Sequence, residues 1–91
     1  MATLIKADGT IKEIKPENGT DFQLEELQKY VHGYIEIIDL RNGEILVVND
    51  DGKDRYETNK AATQLAHDNR AIFGWDWIDG DVVHCKTEEV K

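Results

Sequence analysis

The most constraining feature of this sequence is a pair of apolar, β-branched runs on either side of Asn42-Gly43, within residues 33–49. Asn-Gly readily takes the positive φ angles of a two-residue type I′ turn, so the pattern predicts a β-hairpin in which Ile38 lies opposite Val47. In this register one face carries Ile38, Leu40, Ile45 and Val47, and the other carries Ile35, Ile37, Leu46 and Val48. Because both faces are apolar, we expect the hairpin to be central in its sheet and covered on each side.

Two Asp-Gly turns predict further hairpins. Asp8-Gly9 joins residues 4–6 to residues 11–14, and Asp79-Gly80 joins residues 75–78 to residues 81–85. Lysines in the first pair indicate a solvated face or an edge position. Residues 54–57 are interpreted as a short peripheral strand.

Two segments have the pattern of amphipathic helices. The first is expected to begin near Thr20 or Asp21, where Thr20-x-x-Gln23 resembles a capping box, and to end at Gly33. The second is expected from Lys60 to about His67, capped by Thr58 or Asn59, with a face of small residues. The sequence thus predicts one α+β domain over residues 1–91. It would contain an antiparallel sheet of about five to seven strands, built from Gly-turn hairpins, with two helices packed on it.

Charge limits the partners of such a domain. The net charge of −8 disfavours binding to nucleic-acid phosphates or to an anionic membrane surface. The single cysteine, Cys85, cannot form an internal disulfide, which fits a reducing compartment. The N-terminal residues lack the apolar core of a signal peptide, and no apolar run approaches membrane-spanning length. We therefore expect a soluble cytoplasmic protein.

Few residues have the spacing that catalysis or metal binding requires. Serine is absent, which excludes serine nucleophiles. His84 neighbours Cys85, but consecutive strand residues point to opposite faces, so only His32 or His67 would serve a Cys–His dyad, and a packed Cys85 is the preferred interpretation. The histidines and Cys85 lack paired zinc-site spacing, and residues 49–54 depart from the calcium-loop pattern. We expect no catalytic residues, no metal and no cofactor.

One enzymatic alternative is kept. Glu36 stands in an otherwise apolar strand, where we expect it to face Asn49 and to be partly solvated. Either Glu36 or an aspartate would act as a base together with His67. A tight acid–histidine pair in a cleft would favour an enzyme over a binding protein.

Five residues are candidates for ligand binding. Arg55 and Lys60 flank Asn59, where the free amides at the start of a helix favour an anion; the alternative is that Asn59 only caps its helix. Trp75 and Trp77 are two residues apart, so a strand would place both rings on one face. Such a face would be a stacking platform, a contact surface for a protein partner, or part of the core.

Several short motifs resemble a known family. They are Gly33-Tyr34-Ile35-Glu36, Val48-Asn49 before Asp51-Gly52-Lys53, Asn59-Lys60-x-Ala62-Thr63, Ile72-Phe73-Gly74 and Gly80-Asp81-Val82-Val83. From the first helix onward, the chain resembles a small uncharacterised domain-of-unknown-function family found in phages, conjugative elements and their bacterial hosts. The segment at residues 75–78 departs from that pattern. The resemblance implies an accessory protein of phage or mobile-element type, and it implies no catalytic residues.

Taken with the charge, these features predict a small acidic, non-catalytic protein that binds a protein partner, for example to counter a host defence. In one version, acidic turns at residues 50–57 and 76–81 occupy a basic cleft on that partner. Two alternatives stay open. One is the sequestration of a small anionic nucleotide by Arg55, Asn59, Lys60 and an aromatic ring. The other is a structural module that forms a homo-oligomer through a sheet edge or the Trp75/Trp77 face.

Overall fold

The computed structural model describes residues 2–53 and 55–90 and has the predicted α+β class. Its elements in chain order are β1 (Ala2–Ile5), β2 (Ile11–Ile14), α1 (Leu24–Val31), β3 (Ile35–Asp39), β4 (Glu44–Asn49), α2 (Lys60–Asp68), β5 (Val82–Lys86) and a 3-10 turn (Thr87–Glu89). In the described residues, the two helices and five strands agree with the predicted numbers. No helix among them is long and apolar enough to cross a membrane.

All five strands form one antiparallel sheet in the order β2-β1-β5-β4-β3. The centre is β5, the last strand in the chain, because it pairs with β1 on one side and with β4 on the other. The predicted central position of the 33–49 hairpin is therefore correct for β4 and wrong for β3, which lies at an edge. The lysine-bearing strand β2 forms the opposite edge.

Apolar residues cover both faces of the inner strands. On one face, α1 and Phe22 pack over Val47, Val83 and Cys85. On the other face, α2 packs through Ala62 and Ala66, whose small side chains let the helix lie close to the sheet. The two-sided burial expected from the β4 sequence follows from this three-layer arrangement.

The register of the β3–β4 hairpin differs by one residue from the prediction. Ile37, not Ile38, lies opposite Val47. A slip of one residue turns a strand over, because side chains alternate between faces. Ile35 consequently packs on the α1 side of the sheet, and Ile38 and Leu40 pack on the α2 side.

A tertiary hydrogen bond accompanies this slip. Asn42-Gly43 has φ angles of 63° and 75°, and the Glu44 amide donates to the Arg41 carbonyl at 3.3 Å. In a regular two-residue hairpin, the Arg41 amide would donate back to Glu44. Here the Arg41 amide donates instead to the side-chain oxygen of Asn69 at 3.1 Å. The Leu40 amide donates to the Glu44 carbonyl at 2.8 Å. Two residues thus oppose one, which is a β-bulge.

Three local predictions need correction. The helix α1 begins at Leu24, without a side-chain cap at Gln23, because the Thr20 hydroxyl bonds to Asn18 instead of forming a capping box. Residues 75–78 form no strand, so the hairpin predicted around Asp79-Gly80 is absent from the described residues. Residues 55–57 form no strand either, and Asp54 lies outside the described residues. In that region an isolated bridge joins Thr58 to Asp79.

Candidate functional site

A groove lies beside β3, between the β3–β4 hairpin and residues 70–79. It has a volume of about 640 Å³, which falls within the roughly 300–1,000 Å³ that is usual for ligand sites. Four consecutive residues of one strand, 36–39, line it, and residues 70–73 and 76–79 form the facing wall. Residues 48–50, 52 and 53, at and after the end of β4, line it as well, so the groove extends from β3 onto the neighbouring inner strand.

The groove carries an excess of negative charge. Among the described residues that line it, five are acidic and two are basic. The acidic ones are Glu36, Asp39, Asp50, Asp76 and Asp79, and the basic ones are Lys53 and Arg70. An anionic ligand would meet net repulsion here, whereas a cationic group would be attracted.

Lys53 shows how this groove holds a cation. Its ammonium is paired with the carboxylate of Asp76 and lies 4.8 Å from the centre of the Trp77 ring. The hydrogen bond from Lys53 lowers the pKa of Asp76 below its usual value. Trp77 is held in place because its indole nitrogen donates to Asp79 at 3.1 Å and its backbone amide donates to Asp76 at 2.8 Å. A carboxylate beside an aromatic face is a favourable site for an ammonium or guanidinium group.

The two tryptophans do not share a strand face, and that prediction is wrong because residues 75–78 are irregular. Trp75 is 74% exposed and stacks on Phe73, with ring centres 5.1 Å apart and planes 8° from parallel. Phe73 is itself 68% exposed and lines the groove, so the stacked pair stands beside it. Phe73 was not among the residues predicted from the sequence. Its spacing of two residues from Trp75 was the one signal that could have indicated it.

Glu36 is the second groove residue singled out by its sequence context. It is exposed, as expected for a partly solvated acid, but lies opposite Val48 rather than Asn49 because of the register slip. His67 was proposed as the partner of Glu36 or an aspartate in catalysis. Its ring nitrogen Nε2 instead lies 2.9 Å from the backbone carbonyl oxygen of Asp76.

The three residues predicted to bind an anion have different environments. Asn59 is fully buried; its amide donates to the carbonyls of Ile5 and Gly80 at 2.9 and 2.8 Å, and its oxygen accepts from the Ala62 amide at 3.0 Å. Arg55 is exposed and paired with Asp51 at 2.7 Å. Lys60 is exposed at the first position of α2. The Asn59 oxygen caps α2, as the alternative interpretation requires, and its amide nitrogen bonds to two carbonyls outside the helix, while ligand roles for Arg55 and Lys60 stay predictions.

Two histidines are close to acidic side chains. His84 Nε2 is 2.8 Å from Glu44, and His32 Nε2 is 3.1 Å from Asp81. The second pair lines a separate cavity of about 500 Å³, so an acid–histidine pair in a cleft, the feature that would favour an enzyme, is present at His32 and Asp81 rather than at His67. The other Asp81 oxygen accepts the Ala7 amide at 3.0 Å, so this carboxylate connects the end of β1 with the C-terminal cap of α1.

Cys85 is 2% exposed, and burial raises the pKa of its thiol to about 11. It packs in the core on the α1 side and not beside either histidine–acid pair. Residues 2–53 and 55–90 contain no cluster of three His, Cys, Asp or Glu side chains that could hold a metal ion.

Comparison with known families now adds to this geometry. The model of a domain of unknown function, DUF3846, matches residues 2–91. The chain belongs to this family. No curated protein and no solved structure matches this DUF3846 domain. The family name assigns no activity, and the groove beside β3 is the feature of this domain most suited to binding a partner.

Proposed function

We propose that this DUF3846 domain is a non-catalytic interaction domain that binds a basic protein partner in the groove beside β3. The observation that carries the proposal is the groove itself, because it joins an excess of carboxylates to β3, an edge strand of the sheet. The exposed Phe73–Trp75 stack adds apolar area of the kind that contributes strongly to binding at protein interfaces.

The biological setting of the proposal comes from the sequence resemblance. We propose a phage or mobile-element protein that acts in the cytoplasm of its host and occupies a host protein. Because steering by exposed carboxylates is screened by salt, the association rate with such a partner would fall as ionic strength rises.

Site-specific photo-crosslinking tests the proposal. A benzophenone amino acid is placed at Phe73, beside the groove, and in a matched variant at Ile11, which is 62% exposed on the opposite edge strand β2. Each variant is irradiated in lysate of the host cell, and the crosslinked peptides are sequenced by mass spectrometry. We expect Phe73 to crosslink to a Lys- or Arg-rich segment and Ile11 to give no such product. Equal crosslinking at both positions, or none at Phe73, would refute the proposal.

The two alternatives have less support. A small anionic nucleotide would have to overcome the carboxylate excess of the groove, and the Asn59 side chain has no polar atom left for it. A homo-oligomer joined through β3 would add the Glu36 and Asp39 carboxylates of a second copy to this strand edge, and no basic residue of β3, with a net charge of −8 on each chain. Calorimetry with nucleotides and sedimentation at high protein concentration test these alternatives directly.

A further inference from the structure

We infer that the partner segment binds as an additional β-strand along the outer edge of β3 and carries two basic residues separated by two apolar ones. This inference rests on the proposed function, since it specifies how the groove would take its partner. Three features of the edge support it: the direction of its backbone groups, the order of its side chains and its charge.

The backbone groups of β3 alternate in direction. The Leu40 amide donates to the Glu44 carbonyl, and the Asp50 amide donates to the Tyr34 carbonyl, at 2.8 and 2.9 Å. Even-numbered residues of this segment therefore bond inward to β4, and the N–H and C=O groups of Ile35, Ile37 and Asp39 point outward. No described strand pairs with that edge. An extended peptide would satisfy these groups by forming ladder hydrogen bonds.

The side chains of β3 specify what should lie opposite them. The order from residue 36 to residue 39 is acidic, apolar, apolar, acidic, and the side chain of Ile37 is 45% exposed. Residues directly opposite each other in neighbouring strands have Cβ atoms about 4.5–5.5 Å apart, so opposite charges and apolar pairs are favoured there. The complementary order is basic, apolar, apolar, basic. It reads the same in both directions, so it suits a parallel and an antiparallel added strand.

The charge of β3 favours a basic peptide over a second copy of the chain as the added strand. If β3 paired antiparallel with itself about Ile37, Glu36 would lie opposite Ile38, and Asp39 would lie opposite Ile35. The four carboxylates would then have no basic partner on the added strand. A peptide with lysine or arginine at the outer two positions places a cation opposite each carboxylate instead.

Three synthetic peptides test the order of basic and apolar residues and the backbone hydrogen bonds between the peptide and β3. The first contains the core Lys-Val-Val-Lys between threonines, the second contains Lys-Lys-Val-Val with the same composition, and the third is the first with both valine amides N-methylated. Binding is measured by fluorescence anisotropy, and the contact is located from amide chemical-shift changes. We expect the first peptide to bind at least about tenfold more tightly than either of the others, with the largest shifts at residues 35–39.

A variant of the protein tests the same backbone hydrogen bonds by removing a donor from β3. Ile37→Pro removes an N–H that points outward, and proline is tolerated on the free side of an edge strand. We expect it to lower affinity for the first peptide about tenfold while the circular dichroism spectrum is unchanged. If this variant fails to fold, the N-methylated peptide decides the question.

The outcomes distinguish the two proposals. Equal binding of all three peptides, or no binding of the first, overturns strand addition. If Phe73 still crosslinks to a basic partner segment in that case, the groove binds its partner in another way, and the proposed function stands. If both experiments fail, both proposals are wrong. Self-association through β3 would also overturn the inference, because the occupant would be a second copy.

Discussion

Asn59→Ala offers the sharpest test of how this fold is held together. The side chain is fully buried, and it joins three segments that are distant in sequence: the end of β1, the start of α2 and Gly80 before β5. Alanine would remove a helix cap, worth about 1 kcal/mol. It would also leave the buried carbonyls of Ile5 and Gly80 without that donor, at roughly 1–2 kcal/mol each. We therefore expect a loss of about 3–5 kcal/mol in the free energy of unfolding.

Two further variants separate the contributions. Asn59→Asp keeps the oxygen that caps α2 but places a carboxylate against two carbonyl oxygens, so we expect it to be at least as destabilising as alanine. Asn69→Ala is the matched control at the other end of the same helix. Asn69 is only half-buried and makes two side-chain hydrogen bonds, to the Leu65 carbonyl and from the Arg41 amide. Its loss should cost about 1 kcal/mol.

Urea unfolding followed by tryptophan fluorescence measures all three variants. The comparison requires an unchanged dependence of the unfolding free energy on urea, so that a shifted midpoint reports stability. A total stability of about 5–15 kcal/mol is usual for a domain, so the expected loss is a large fraction of the free energy of unfolding. A loss below about 1 kcal/mol for Asn59→Ala, or one equal to that of Asn69→Ala, would refute this account of the residue.

Three further predictions concern the Asn42-Gly43 turn and the Cys85 thiol. Gly43→Ala should destabilise the protein by about 1–2 kcal/mol in the same urea assay, because φ is +75° at this position. Gly74 has neither a positive φ nor a close neighbour, so Gly74→Ala should be nearly neutral. Equal effects of the two substitutions would contradict this prediction. Cys85 should react with a thiol reagent at pH 8 only as fast as the protein unfolds, and rapid reaction of the folded protein would contradict its burial. Because the folded-state pKa of Cys85 is raised from 9.0 to about 11, its contribution to stability is full below about pH 9 and is lost as the pH rises toward 11. The difference in unfolding free energy between the wild type and Cys85→Ala, measured across that range, checks the sign.

Much of the local structure could be read from neighbouring residues. The Asn59 cap and the range of α2 followed from Asn at the helix start and small residues at helical spacing. The first helix was harder, because Asn18 competes for Thr20 and the capping-box residues lie outside the helix. Residues 75–78 alternate like a strand, but hydrogen bonds from Trp77 to Asp76 and Asp79 hold them in irregular structure. Side chains that bond locally can override an alternating pattern.

The candidate site was only partly visible in the sequence. Glu36, Trp75 and Trp77 were selected for their residue types, and each lies in or beside the groove. The groove itself depends on which strand lies at the edge, and no short-range pattern contains that information. An apolar run such as β3 is equally compatible with a central strand until its neighbours are known.

The sequence alone determined that residues 33–49 turn back at Asn42-Gly43 and that β4 is apolar on both faces. Those properties depend on backbone preference and on alternation within a few residues. Tertiary structure decided the rest, because β5 pairs with β1 across about eighty residues and with β4 across about forty. That pairing leaves β3 at the edge, and the contact from Asn69 to Arg41 accompanies the register that places Glu36 and Asp39 beside the groove.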